Sequence, residues 1–229
     1  MRKIRLALSV FLASALLLAG PSPVSAAVWS TSDQWGTWTS GNYTLYNNIW
    51  GSGAGPQTLW VNSTSNWGVW ANHPNTGGVK SYPNASVTVN KKVASLGTTT
   101  SSFNVTVPAS GVAFTTAYDI WADGHTYEIM LWMNKYGAVG PLGTFQTNVT
   151  VGGHTWAVYS GSNGSNAVFS FVRTSNTNAG TVDIRAVLQW IKNRGWYGDV
   201  TLSQIQFGYE ITSSSGGKDF VTNSYSATY

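Results

Sequence analysis

Most of the chain alternates apolar and polar positions with a period of two, which is typical of β-strands. Runs rich in Val, Thr, Tyr, Phe and Trp are separated by clusters of Gly, Asn, Ser and Pro, which favour turns. These runs predict strands at 42–49, 57–62, 67–71, 85–89, 101–107, 115–121, 126–134, 145–151, 154–160, 167–173, 204–211 and 224–229. Many short strands joined by short turns predict an all-β sandwich, barrel or jelly roll.

One segment departs from the strand pattern. Val182, Ala186, Trp190 and Ile191 recur at helical spacing and predict a single helix from about 181 to 193. We expect this helix to pack against the outside of a sheet. The sequence shows no internal repeat and no long linker, so we expect a single domain after the N-terminal segment.

The N-terminal segment, residues 1–26, has the composition of an export signal. It begins with three basic side chains, continues with an apolar run at 6–20, and ends in small residues. This order is typical of a secretory signal peptide, and the run is shorter than the ~20 residues that a membrane anchor needs. We therefore expect a secreted, extracellular protein whose single domain spans 27–229.

Composition narrows the class of partner. Charged residues make up 9% of the 229 residues, against roughly 25% in an average soluble domain. Aromatic residues reach 14%, which argues against disorder. Loss of the signal peptide leaves nine basic against eight acidic residues, a net charge of +1. We therefore expect a neutral, hydroxyl-rich ligand, with no nucleic acid and no membrane contact, and a monomer.

Metal and disulfide chemistry are not indicated. The chain contains no Cys, so sheet hydrogen bonds and the core must stabilise the exported protein without disulfides. His73, His125 and His154 are scattered, with no pair at the spacing of metal ligands. We expect no metal and no cofactor.

The two glutamates are the most informative acidic residues. Glu128 and Glu210 both lie in strongly β-patterned runs, where Glu is depleted. Because side chains alternate between faces, Glu128 should share a face with Met130 and Trp132. This pattern predicts the floor of a cleft, with a carboxylate beside a flat ring. Gly208 should lie on the same face as Glu210 and leave an open space beside it.

A third strand should carry Asp119 and Trp121 on one face. Two carboxyl groups across a Trp-lined cleft suit glycoside hydrolysis, because one protonates the leaving oxygen while the other attacks the anomeric carbon or activates water. A nearby Asp could share a proton with one Glu. These residues leave two alternatives open: solvated glutamates on outward strand faces, or a non-catalytic, lectin-like or expansin-like carbohydrate-binding jelly roll.

Several segments around these residues resemble glycoside hydrolase family 12. Tyr-Glu-Ile-Met-Leu-Trp at 127–132 and Phe-Gly-Tyr-Glu-Ile at 207–211 carry the resemblance. Further similar segments, in the family's order, are Tyr-Asn-Asn-Ile-Trp-Gly at 46–51, Val-Lys-Ser-Tyr-Pro-Asn at 79–84, Tyr-Asp-Ile-Trp at 118–121 and Gly-Pro-Leu-Gly at 140–143. The resemblance covers about residues 28–229. The segments at 46–51 (Asn-Asn-x-Trp-Gly) and 127–132 (Glu-x-Met-x-Trp) argue against the related jelly-roll xylanases.

The resemblance implies a β-jelly-roll sandwich of two antiparallel sheets with one short helix and an open concave cleft. It also implies an endo-acting β-1,4-glucan hydrolase of the cellulase type that retains anomeric configuration through a covalent glycosyl-enzyme. The partner is then a β-glucan polysaccharide. A xyloglucan-specific endoglucanase is the alternative, and rim loops at 72–78 and 122–126 should decide between them.

The resemblance also implies roles for individual residues. Glu128 stands at the nucleophile, Glu210 at the acid/base, and Asp119 at the residue that hydrogen-bonds the nucleophile. For a retaining enzyme the two glutamate carboxyl groups should lie about 5–5.5 Å apart. Substrate contacts are implied for Trp50 on the non-reducing side of the scissile bond, for Asn48 or Asn47 near it, for Met130 and Trp132 on the floor, and for Trp121.

Overall fold

The computed structural model describes residues 27–229. The predicted signal peptide at 1–26 lies outside these residues and stays a prediction. Within 27–229, no helix has the length and the apolar character needed to cross a membrane.

The described chain forms fifteen strands, one α-helix and one short 3₁₀ turn at Val93–Ser95. In chain order the elements are β1 (Trp29–Thr31), β2 (Thr37–Ser40), β3 (Tyr43–Tyr46), β4 (Gln57–Val61), β5 (Trp67–Ala71), β6 (Asn84–Lys92), β7 (Thr100–Thr106), β8 (Ala113–Ala122), β9 (Tyr127–Tyr136), β10 (Thr144–Val151), β11 (His154–Ser162), β12 (Ala167–Arg173), β13 (Ala179–Asp183), α1 (Ile184–Asn193), β14 (Thr201–Ser213) and β15 (Lys218–Thr228).

The strands form two sheets, which confirms the predicted jelly-roll sandwich with one helix. A six-stranded sheet has the order β1-β4-β5-β15-β7-β13. A nine-stranded sheet has the order β10-β11-β12-β9-β8-β14-β6-β3-β2. Both sheets consist of antiparallel pairs except for β9 and β12, which run parallel. The two predicted antiparallel sheets are therefore observed, with this one parallel pair as the exception.

The parallel pair follows from the route of the chain after β9. Residues 137–143 return the chain to the far edge of the sheet, where β10 begins. From there β10, β11 and β12 form an antiparallel meander back to β9, so β12 has the direction of β10. Parallel neighbours require such a crossover connection. The crossover loop therefore lies beside the strand that carries Glu128.

The core lies between the two sheets and consists mainly of aromatic and branched side chains. On β14, Phe207 and Tyr209 are fully buried, while Glu210 is directed away from the core. The Phe207 ring stacks on Tyr225 of the opposite sheet at 4.9 Å and meets Phe103 at 5.3 Å. Offset aromatic pairs of this kind stabilise a core beyond the area they bury. The period-two pattern thus separates the face of β14 that is buried in the core from the face that carries Glu210.

The helix starts three residues later than the sequence pattern predicts. Residues 181–183 belong to β13, where Thr181 and Val182 pair with β7. Both side chains are β-branched and favour a strand. Asp183 ends the strand and caps the helix, because its Oδ1 accepts a hydrogen bond from the backbone N–H of Ala186 at 2.9 Å. Val187 is fully buried on the helix face that packs against the core.

Gly208 occupies a point of close backbone approach rather than an open space, so that expectation is wrong. A Cβ at this position would lie 2.0 Å from the Pro83 carbonyl oxygen. The segment 79–84 runs along β14, where Tyr209 donates its N–H to Pro83 at 3.1 Å and Ile211 donates to Ser81 at 2.9 Å. Glycine at 208 therefore fixes how closely this segment lies against the strand that bears Glu210.

Gly208→Ala should destabilise the fold by about 1–3 kcal/mol, the usual cost of overpacking a close contact. Chemical denaturation of the variant measures this loss. Gly97→Ala is the matched control, because a Cβ there meets no atom within 4 Å. Equal stability of the two variants would contradict the close approach at Gly208.

Candidate active site

The nine-stranded sheet turns one face away from the core, and a cavity of about 800 Å³ lies on this face. Its lining includes all three predicted catalytic carboxylates, Asp119, Glu128 and Glu210. Five of the predicted substrate-contacting residues also line it: Asn48, Trp50, Trp121, Met130 and Trp132. The structure therefore brings together in one cleft residues that are far apart in the sequence.

The three carboxylates come from three adjacent strands. Asp119 lies on β8, between β9 with Glu128 and β14 with Glu210. In register, Asp119 stands opposite Gln206 on one side and Met130 on the other. The central aspartate is thus flanked by the two strands that carry the glutamates, on the face that the alternation of side chains predicts.

Glu210 has the properties of a carboxylic acid that keeps its proton near neutral pH. Its pKa is raised to about 7, first by burial and second by the negative charge of Glu128. Both effects disfavour the ionised form, because a buried carboxylate loses hydration and a neighbouring carboxylate repels it. Below neutral pH, Glu210 can therefore donate a proton into the cleft.

Glu128 lies in a more polar environment. Burial raises its pKa, but the Asn166 side-chain amide opposes this rise by donating a hydrogen bond of 2.8 Å to Glu128 Oε2. A hydrogen bond to the charged form favours that form. The environments of the two glutamates therefore differ, since Glu210 has no such donor among the described residues.

Asp119 is the most buried of the three, with 7% of its surface exposed. Burial raises the pKa of Asp119 well above its usual value, and the charges of Glu128 and Glu210 raise it further. Its Oδ1 is buried with no hydrogen-bond partner among the described residues. The arrangement favours a protonated Asp119 in the same cavity as the carboxyl group of Glu128.

Asn166 was missed by the sequence reasoning, although it contacts Glu128 directly. It lies at the end of the turn between β11 and β12, where Asn163 Oδ1 accepts the N–H groups of Ser165 at 2.9 Å and Asn166 at 3.0 Å. Asn163 Nδ2 also donates to Asn166 Oδ1 at 2.8 Å, which orients the Asn166 amide. Asn-rich turns are common, so spacing alone gave no signal.

Trp50 forms one end of the cleft and is 51% exposed. It follows Asn48, which adopts a left-handed backbone with φ of 47°. Asn48 Nδ2 donates to the Tyr82 carbonyl oxygen at 3.0 Å, and Tyr82 N–H donates to the Asn48 carbonyl oxygen at 3.0 Å. These bonds hold the Trp50 segment against residues 79–84, which in turn lie along β14.

Asn47 does not reach the cleft, so the expectation of a substrate contact there is corrected. Its side chain is fully buried. Its Nδ2 donates to the Asp33 carbonyl oxygen at 2.8 Å, and its Oδ1 accepts from Gln57 Nε2 at 2.9 Å. These bonds hold the Asn47 side chain inside the protein, whereas Asn48 lines the cavity.

Lys80 fixes the rim near Trp50 and also escaped the sequence reasoning. It is 3% exposed, and its Nζ donates to the carbonyl oxygens of Ser52 at 2.9 Å and Gly77 at 2.6 Å. One buried ammonium thus joins the loop after Trp50 to the predicted rim loop at 72–78. Charge-assisted hydrogen bonds are roughly twice as strong as neutral ones, which suits this fastening role.

The opposite rim consists of two short loops. His125, in the turn between β8 and β9, is exposed and packs edge-on against the Trp121 ring at 4.8 Å. Gly140, Pro141 and Leu142 of the crossover loop line the cavity from the other side. No feature of the sequence pattern singled out His125 as a cleft residue.

Comparison with known proteins gives one family and consistent neighbours. The model of glycosyl hydrolase family 12 matches residues 41–229. A relative from Aspergillus terreus, described as a probable xyloglucan-specific endo-beta-1,4-glucanase A, is 35% identical over 215 residues, 86% of each chain. The xyloglucan-specific endo-beta-1,4-glucanase A of Emericella nidulans is 32% identical, over 85% of this chain and 89% of that protein.

Solved structures agree with these sequence relatives. The xyloglucanase domain of NopAA, a type three effector from Sinorhizobium fredii solved with cellobiose, has a TM-score of 0.85 and 42% identity. That alignment covers 88% of this chain and 99% of the domain. Endoglucanase 3 of Trichoderma harzianum has a TM-score of 0.80 and 27% identity, over 87% of this chain and 96% of that one.

The raised pKa of Glu210 predicts a pH-dependent stability. Relative to its usual 4.5, a folded-state pKa of about 7 stabilises the fold at low pH, and this contribution disappears as pH rises through 7. Glu210→Gln should therefore match the wild type at pH 4 and exceed its stability at pH 8, by up to about 3 kcal/mol.

Chemical denaturation at a series of pH values measures this difference. Asp219→Asn, which removes an exposed carboxyl outside the cavity, should retain the pH dependence of the wild type. A constant difference between Glu210→Gln and wild type across this range would show that Glu210 keeps an ordinary pKa.

Proposed function

Because the chain belongs to glycosyl hydrolase family 12, we propose that it cleaves internal β-1,4 bonds of a glucan chain by a retaining double displacement. The family membership confirms the resemblance noted in the sequence motifs and makes the chain a glycoside hydrolase of the endo-β-1,4-glucanase and xyloglucanase group. The observation that carries the proposal is the pair of glutamates, Glu128 and Glu210, on strands that flank β8 in one cavity.

In the first step, protonated Glu210 acts as the general acid. It donates its proton to the glycosidic oxygen while the bond from that oxygen to C1 breaks, so the departing sugar leaves as a neutral alcohol. A pKa of about 7 suits this task, because the group is still protonated in mildly acidic solution.

Glu128 supplies the nucleophile of the same step. Its carboxylate forms a bond to C1 as the leaving oxygen departs, which gives a covalent glycosyl-enzyme. The Asn166 amide keeps one carboxylate oxygen in place and favours the ionised form that attack requires. In the second step, Glu210 takes a proton from water, and the water oxygen displaces Glu128 from C1.

Asp119 acts beside the nucleophile rather than on the sugar. In its protonated form it would donate a hydrogen bond to Glu128 and hold that carboxylate in position. The same proton prevents three negative charges from gathering in one buried cavity. When Glu128 loses its charge in the covalent intermediate, it no longer raises the pKa of Asp119, so Asp119 ionises more easily.

The remainder of the cleft suits a long neutral chain. Trp50 and Trp121 offer flat apolar faces, Met130 and Trp132 form the floor, and Asn48 adds a neutral polar group. The cavity lining extends across the open face of the sheet, from Trp50 after β3 to Leu142 in the crossover loop, so a long chain has room to cross it. This openness suits cleavage at internal bonds of a polymer.

Secretion is a further part of the proposal. It is supported by the basic, apolar and small-residue order of residues 1–26. Polymeric glucan is too large to enter a cell intact, so an enzyme that cuts internal bonds acts where its substrate lies.

Xyloglucan is the second candidate substrate. The relatives from Aspergillus terreus and Emericella nidulans are named for xyloglucan, and the structural neighbour with 42% identity is a xyloglucanase domain. A chain with side branches requires space above the rims. The turn between β8 and β9, at 123–126, is short enough to leave that space.

A reducing-sugar assay on carboxymethylcellulose, barley β-glucan, xyloglucan and xylan tests the proposed activity. We expect release from β-1,4-glucans, with xyloglucan among the good substrates, and little release from xylan. Glu128→Gln should lose at least about 1,000-fold in turnover, since the nucleophile is removed, while it still binds oligosaccharide.

Gln206→Asn is the matched control, because Gln206 lines the same cavity without a proposed role in bond cleavage. It should keep most of the activity. Binding of all four polymers without any product would favour a carbohydrate-binding module, and near-normal turnover by Glu128→Gln would remove Glu128 from its role.

A further inference from the structure

An exposed aromatic side chain lies on the edge strand of the nine-stranded sheet. Phe145, on β10, is 53% exposed, although Phe is usually buried. Its ring packs edge-on against Tyr159 of β11, with centroids 5.7 Å apart. Leu142, at the end of the crossover loop, is also exposed, at 42%. These three residues are called the edge platform below.

The edge platform faces the cleft and not the core. Phe145 and Tyr159 are direct cross-strand partners, so their side chains share a face. Tyr159 packs against the small apolar cluster that contains Met130 and Trp132, the floor of the cavity. Its neighbour Val158 belongs instead to the core between the sheets.

The edge platform extends the cleft beyond the catalytic cavity. Leu142 lines both the cavity and the platform, and Val168 on β12 lines the cavity one strand before Tyr159. Trp50, which follows β3, lies toward the opposite side of the sheet. Because β10 is the third strand beyond β9, Phe145 lies ~14 Å from the strand of Glu128.

We propose that the edge platform is a distal binding site that stacks a sugar ring of the polysaccharide, on the side of the cleft opposite Trp50. This proposal rests on the proposed hydrolase function. With Trp50 on the non-reducing side, the platform holds the leaving-group portion of a long chain. The open cavity between the two sites leaves a continuous path for that chain.

The surroundings of the platform match a neutral polysaccharide. Strand β10 has the sequence Thr-Phe-Gln-Thr-Asn-Val-Thr-Val and carries no charged residue. Exposed hydroxyl and amide groups therefore flank the Phe145 ring, which presents an apolar face to the C–H side of a sugar. An acidic or basic partner would find no complementary charge on this strand.

Phe145→Leu tests the platform, because leucine keeps an apolar side chain on the strand but removes the flat ring. We expect roughly three- to tenfold weaker retention on β-glucan or xyloglucan in affinity gel electrophoresis, in the range of one aromatic contact. The KM for these polymers should rise similarly, while kcat/KM for an aryl cellobioside, too short to reach the platform, should stay unchanged.

Phe145→Tyr should restore polymer binding, and Gln146→Ala, next to Phe145 on the same edge strand, is the matched control and should behave as wild type. Thermal unfolding of each variant monitors the fold. An equal loss on polymer and on aryl cellobioside, or no loss on either, would overturn the proposal. So would a wild-type dimer, seen by sedimentation, that Phe145→Leu dissociates, because the platform would then join two copies.

Absence of product release by the wild type would instead contradict the hydrolase function, whatever the effect of Phe145→Leu on binding. The gel retardation needs no turnover, so the platform is tested even in that case.

Discussion

The central constraint is that three carboxyl groups share one cavity without a paired cation. Among the described residues, the single ion pair joins Lys192 and Asp199 and includes none of the three carboxyl groups. Burial raises the pKa of all three, and the charges of neighbouring glutamates raise it further at Asp119 and Glu210. Protons are therefore retained in the cavity at a higher pH than in water, while the Asn166 amide favours ionisation of one carboxylate, Glu128.

Closely packed backbone segments position Glu210 and Trp50 relative to each other. Residues 79–84 bond to β14 on one side and to the Trp50 segment on the other, so Glu210 and Trp50 are fixed to a common support. Gly208 sets the approach of that segment, and Lys80 fastens the loops above it. The rigid placement of Glu210 relative to Trp50 follows from these contacts rather than from local strand propensity.

Most strands and the grouping of residues on the cleft face could be predicted from the sequence, because period-two alternation is a local signal. It placed Glu128 with Met130 and Trp132, and every predicted strand overlaps an observed one. It missed β1 and β2, which are short edge strands, and β13, whose Thr and Val also fit a helical stripe. It could not find Asn166 or Lys80, since their roles depend on which loops meet in space. The parallel pairing of β9 and β12 likewise depends on the route of a crossover loop.

In the proposed reaction Glu128 attacks the sugar while Glu210 protonates the leaving group, so that cleavage proceeds through two inversions. Proton NMR of the first product released from a β-1,4-linked oligosaccharide, recorded before mutarotation, distinguishes two inversions from one. We expect the new reducing end to appear first as the β-anomer. First appearance of the α-anomer would show a single inversion with water as the attacking group, and would contradict the role given to Glu128.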